Sequence, residues 1–134
     1  RHLMDVVGTV TVRVPTADLL AAVKRVSLVA ERNTPLRMLI EDDHISLEAA
    51  TGDQAHASEA IEAQIGVVGE EKSIEAAGFN PHYLLDALGA LDAPYAHFSF
   101  TAPGKPCLIT GLATIDGDQL FDYRHVIMLM RLPN

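Results

Sequence analysis

A chain of 134 residues, 49% hydrophobic and free of Pro/Ser/Gly-rich tracts, has the length and apolar content of one folded domain with a real core. Its net charge of -8 argues against a simple basic nucleic-acid binder. No apolar run reaches the roughly 18–20 residues of a membrane-crossing helix, so no membrane partner is expected.

The chain opens on "RHLM", without the basic-then-apolar pattern of a signal peptide. Starting on Arg, it reads as a fragment boundary or non-native remnant over residues 1–8, with the domain expected over 9–134. "GTVTVRV" alternates, placing Val10, Val12 and Val14 on one side of a strand. Thr16 is the expected N-cap of a helix through "ADLLAAVKRVSLVAER", with Asp18 in its first turn and Leu19, Val23, Val26 and Ala30 on one stripe. Asn33-Thr34-Pro35 ends it. "LRMLIE", "HISLEA" and "HASEAIEAQI" read as strands, the first two joined by a tight turn at Asp42-Asp43.

The second half repeats this order. "KSIEAAGF" reads as a weak strand, and Asn80 caps a helix that starts on Pro81 and buries Leu84, Leu88 and Leu91. "YAHFSF" and "PCLITG" follow as strands, "LATIDGDQL" as a loop, and "YRHVIMLMRL" as the last strand. Two βαβββ units imply an α+β fold: a pseudo-twofold domain with antiparallel sheets and two helices on one face.

Charge is unevenly spread. Arg13, Lys24, Arg25, Arg32 and Arg37 face only Asp18 and Glu31 within their segment, whereas residues 41–75 are dominated by carboxylates. Solvated faces of either sign would look like this, and so would one basic and one acidic face on a small domain.

Catalytic and metal signatures are not found. His2, His44, His56, His82, His97 and His125 form no i, i+4 pair and no HExxH. "DGDQ" lacks the closing glutamate of a calcium loop, and no phosphate-cradling glycine motif appears. Cys107, the only cysteine, excludes an internal disulfide, suits a reducing cytoplasm, and reads as a small core hydrophobe. No cofactor and no enzymatic activity are expected.

Three stretches, "VKRVSLVAERNTPLRM", "GFNPHYLLDALGAL" and "YRHVIMLMRL", together resemble the third domain of the bacterial DNA polymerase III beta subunit, the sliding clamp. The resemblance runs over nearly the whole chain from about Val10. It implies a non-catalytic, cytoplasmic processivity factor: a ring-shaped homodimer of three-domain protomers around double-stranded DNA, without sequence readout. It also implies that replicative polymerase, clamp loader and repair proteins bind through short hydrophobic peptides. Carried over by position, the peptide pocket comprises Asn33, Asn80, Tyr83, Gly104, Pro106, Val126, Ile127, Met128, Leu129, Met130 and Arg131. Lys24, Arg25 and Arg32 would face DNA, and Ser27 and Leu28 the neighbouring protomer; the chain alone would then be monomeric.

This sequence departs from the family at Leu129, where the family carries Pro, and at Pro133-Asn134, which extend past the usual final Leu. On residue chemistry alone, a freestanding acidic peptide-binding module and a small cytosolic hydrolase remain open.

Overall fold

In the computed structural model, residues 10–28, 35–49, 58–67, 76–101 and 105–130 are described, Phe121 and Asp122 by their backbone only. Strand β1 (Val10–Pro15) buries Val10, Val12 and Val14 completely, as its alternation requires. Helix α1 (Thr16–Ser27) follows at once and buries Leu19, Ala22, Val23 and Val26.

The start of α1 differs from expectation. Pro15 occupies the cap position without a side-chain bond, and Thr16 is already helical. The Thr16 amide donates to the Pro94 carbonyl at 2.9 Å, so the turn before a later strand satisfies a donor the cap would have taken. The Thr16 hydroxyl is buried, without a hydrogen-bond partner among the described residues. The helix also ends earlier than its apolar stripe implied, at Ser27. There the Leu28 amide turns to the Arg25 carbonyl at 3.3 Å, a tightened last turn. Ala30 lies outside the described residues.

Strands β2 (Leu36–Ile40) and β3 (His44–Ala49) form the expected hairpin, closed by the Glu41 amide on the His44 carbonyl at 3.0 Å. The next segment was expected as one strand and is two: β4 (Ser58–Glu62) and β5 (Gln64–Val67). Ala63 separates them, its amide turned to the Asp43 carbonyl at 3.2 Å. Strand β6 (Ala76–Phe79) leads into α2 (Pro81–Ala90). Then come β7 (Tyr95–Phe100), β8 (Cys107–Leu112) and β9 (Gln119–Ile127).

All strand pairs are antiparallel, in two sheets ordered β5-β1-β7-β8-β9 and β4-β3-β2-β6. The first strands are exchanged: β1 joins the last three strands of the second unit, and β6 joins those of the first. Each unit's closing segment crosses back to its own first strand. After β4, β5 pairs with β1; after β9, Met130 bridges to Gly78 of β6. The repeat read in the sequence is therefore a pseudo-twofold with exchanged first strands.

The helices touch each other. α1 packs over β1, β3, β4 and β7, and α2 over β9. Phe79 of one sheet meets Phe98 and Phe100 of the other edge-on at 6.1 and 6.3 Å, joining the sheets through one core. At Gly111 a side chain would press within 2.7 Å of the Ala93 Cβ, so glycine lets β8 pass beneath the turn after α2.

A polar row crosses the first sheet through the register partners Gln64, Arg13, His97 and Thr110. Arg13 donates to His97 Nδ1 at 3.1 Å and to the carbonyls of Ile115 and Gly117 at 3.0 and 2.7 Å, holding the β8–β9 loop down. Burial, followed by the adjacent Arg13 charge, pushes the pKa of His97 down to about 4. Arg13 is thus a structural clamp, contrary to its reading as part of a basic surface.

Candidate functional site

The C-terminal strand begins earlier and ends sooner than its sequence implied. Gln119 and Leu120 already pair with β8 across a register shift at Thr110/Gly111, and regular pairing stops at Ile127. Between the shift and the end, side chains alternate. Ile127 is 3% exposed and belongs to the core, Leu129 packs against that core, and Val126 and Met128 are each 62% exposed. The outward face thus holds Val126 and Met128 but is not simply continued by Met130. That residue is half-buried, its amide donating to the Gly78 carbonyl at 2.7 Å on the edge of the other sheet.

Two ties fix β9 along α2. The Tyr123 hydroxyl donates to the Ala87 carbonyl at 3.2 Å, and Met130 reaches Gly78, two residues before the helix cap. Strand and helix so run in opposite directions, and the strand's end lies toward the start of α2. Asn80 makes that start: its side chain accepts from the amides of His82 and Tyr83 at 2.9 and 3.2 Å, with Pro81 behind it. Tyr83 is exposed on the first turn. An apolar strand face, an aromatic ring and a capped helix start thus occupy one end of the domain. Pro106 is exposed just before β8. Asn33, Gly104 and Arg131 lie outside the described residues.

Pairing adds a residue that the motif comparison did not. Leu108 stands directly opposite Val126 and is half-buried, so it extends the apolar strip onto β8. Only the register, set by distant strands, puts the two side by side.

On α1, Lys24 and Arg25 are both exposed. Arg25, however, grips Glu59 of β4 in a two-pronged bond of 2.6 and 2.7 Å. This bond raises the guanidinium pKa and lowers that of the carboxylate. Arg37 lies 3.6 Å from Glu48 across the β2–β3 pair. The basic run in the sequence is thereby partly neutralised by carboxylates from neighbouring strands. Arg32 lies outside the described residues. Ser27 is half-buried, while Leu28 is 84% exposed at the end of α1.

Cys107 is fully buried, and burial raises its thiol pKa, which removes it as a nucleophile. Among the described residues no group of three or more His, Cys, Asp or Glu is placed to hold a metal ion. No helix among them is long and apolar enough to cross a membrane.

Comparison with known proteins identifies the domain. The family described as DNA polymerase III beta subunit, C-terminal domain, matches residues 6–131. The beta sliding clamp of Streptomyces coelicolor is 44% identical over 119 residues, covering 89% of this chain and 30% of that protein. The beta sliding clamp homolog GriR of Streptomyces muensis is 36% identical over 118 residues, covering 88% and 30%. The crystal structure of the Thermotoga maritima beta subunit superposes with a TM-score of 0.76 at 24% identity, covering 94% of this chain and 32% of its own. The chain therefore spans about a third of the length of these relatives. It belongs to the family of DNA polymerase III beta subunits, the sliding clamps, as their C-terminal domain.

Proposed function

We propose that this chain is the C-terminal domain of a DNA processivity clamp, which helps encircle duplex DNA and receives short apolar peptides on the end of β9. The observation that carries the peptide reading is the outward pair Val126 and Met128, each mostly exposed on a strand whose intervening residue, Ile127, is core. Exposed apolar side chains gathered with Tyr83 at one end of the domain support a partner site. Met suits it because a flexible thioether adapts to different guests. Tyr83, Pro106, Leu108 and Met130 complete the wall that this chain supplies, and Asn33, Asn80, Gly104, Leu129 and Arg131 belong to the same assignment by position. The remaining wall would come from another domain of the longer protein.

In this reading the whole protein is a ring-shaped homodimer acting in the cytoplasm, with Ser27 and Leu28 at the junction between protomers. Its partners are the replicative polymerase, clamp loader and repair proteins. Lys24, Arg25 and Arg32 would supply sequence-independent attraction to phosphate along the hole. The role is topological and non-catalytic.

Retention on DNA tests it. The full-length protein, once loaded, should stay on nicked circular duplex and leave the same DNA after linearisation, because only an encircling ring can slide off an end. Equal loss from circular and linear DNA would reject the encircling role.

A further inference from the structure

A cavity of about 650 Å³ opens where the β4–β5 ribbon passes from one sheet to the other. Pro15, Ile61, Tyr95 and Ile115 supply apolar lining, and Asp43 and Glu62 supply carboxylates. Among the described residues no Lys or Arg lines it. The Gln64 amide group donates to Asp116 at 2.8 Å, which sets a third carboxylate beside the rim. Asp43 pairs with His44 at 2.9 Å, and this hydrogen bond lowers the carboxyl pKa, keeping it ionised at neutral pH.

The place of this cavity in the fold gives it meaning. The pseudo-twofold carries β1 to β6, α1 to α2, and the β4–β5 corner to the β9–Met130 corner. Pro15, at the cap of α1, is then the counterpart of Asn80 at the cap of α2. The β2–β3 turn bearing Asp43 and His44 is the counterpart of the β7–β8 connection that ends at Pro106. The cavity is thus the pseudo-twofold partner of the C-terminal groove, with acid where the groove is apolar. Its wall is held in place: Arg13 pins the carbonyls on both sides of Asp116, and Gln64 pins Asp116 itself.

We infer that this corner is a second peptide site, taking a segment in which a basic side chain neighbours a large apolar one. The apolar side chain would lie between Tyr95 and Ile115, and the cation would meet Asp43 and Glu62. The choice of a peptide as occupant rests on reading the C-terminal strand as a peptide groove; the cavity and its charge do not.

The test is a titration of the isotope-labelled chain, followed by amide chemical shifts, with two blocked tripeptides, Arg-Leu-Phe and Glu-Leu-Phe. The expected result is saturable shifts at Ala63, Gln64, Tyr95 and Ile115, with the Arg peptide binding there about tenfold more tightly than the Glu peptide. Ala60→Trp, which fills the cavity from an exposed strand position, and Glu62→Lys should each weaken the Arg peptide at this corner by about tenfold. Neither should alter shifts at Val126 and Met128. No saturable response of the wild-type corner, equal binding of the two peptides there, or a response that survives both substitutions overturns the proposal. Shifts confined to Val126 and Met128 also overturn it while leaving the C-terminal groove intact. Shifts confined to the corner uphold it and reject the groove. Loss of the corner response through concentration-dependent self-association would identify a second copy of the chain as occupant and likewise overturn it.

Discussion

The Met130 amide and the Gly78 carbonyl, 2.7 Å apart, tie the last strand of one sheet to the edge of the other. That tie closes the second unit as β5 closes the first, and it anchors the irregular stretch that carries Met128 into solvent. Stability and recognition should therefore separate along adjacent residues. Ile127→Ala should cost about 2–5 kcal/mol in denaturant unfolding, as expected for a buried aliphatic truncation. Val126→Ser should stay within about 0.5 kcal/mol of wild type. A reversed order would mean that the strand sits with its other face inward.

Asn80 supplies the cap on which the first turn of α2 depends. Asn80→Ala should destabilise the domain by about 1 kcal/mol, and Asn80→Asp should recover most of that, since a carboxylate accepts the same two amide bonds. Thermal melts of the two variants check it. Equal destabilisation by both would show that the cap is not the source.

Lys24 and Arg25 are neighbours with different freedom, because Arg25 is already engaged by Glu59. In the full-length ring, Lys24→Ala should flatten the salt dependence of DNA binding more than Arg25→Ala does. The log–log slope changes by about 0.9 for each phosphate that is no longer neutralised. Glu59→Gln should make Arg25→Ala as damaging as Lys24→Ala. An unchanged slope in all three variants would remove α1 from the DNA-facing surface.

His97 is buried and held neutral, its pKa lowered from 6.5 to about 4 by burial and by Arg13. The unfolded chain takes up a proton near pH 6.5 that the folded chain refuses until near pH 4. The stability contribution is therefore fully present above the unfolded pKa and is lost as pH falls from 6.5 toward 4, to an extent of at most about 3 kcal/mol. His97→Gln keeps an acceptor for Arg13 without the titration. Its unfolding free energy should fall less steeply than that of wild type across this window; parallel curves would contradict the assignment.

Local chemistry was legible in the sequence. Valine alternation marked β1, and Asn80-Pro81 marked the start of α2, because each rests on contacts within a few residues. What escaped was set by partners far along the chain. The break at Ala63 depends on the Asp43 carbonyl, and the early start of β9 depends on a register shift against β8. Arg13 looked like surface charge and proved to be the clamp of a loop some hundred residues later, near Ile115. Arg25 likewise meets a carboxylate 34 positions away. At the candidate groove, the family resemblance named every residue from Val126 to Arg131 alike, and only pairing and burial showed Leu108 beside Val126 and Ile127 in the core. The exchange of first strands is a topological fact that repeated element order does not carry.

In the proposed function, Met128 is surface held open for a peptide. The most direct measurement titrates a short peptide with Leu and Phe anchors into wild-type chain and Met128→Ala, with a thermal melt of each. Weaker peptide binding by the variant and an unchanged melt are expected, because a mostly exposed side chain contributes little to the core. A melt lowered as for a buried methionine, with peptide binding equal to wild type, would contradict it.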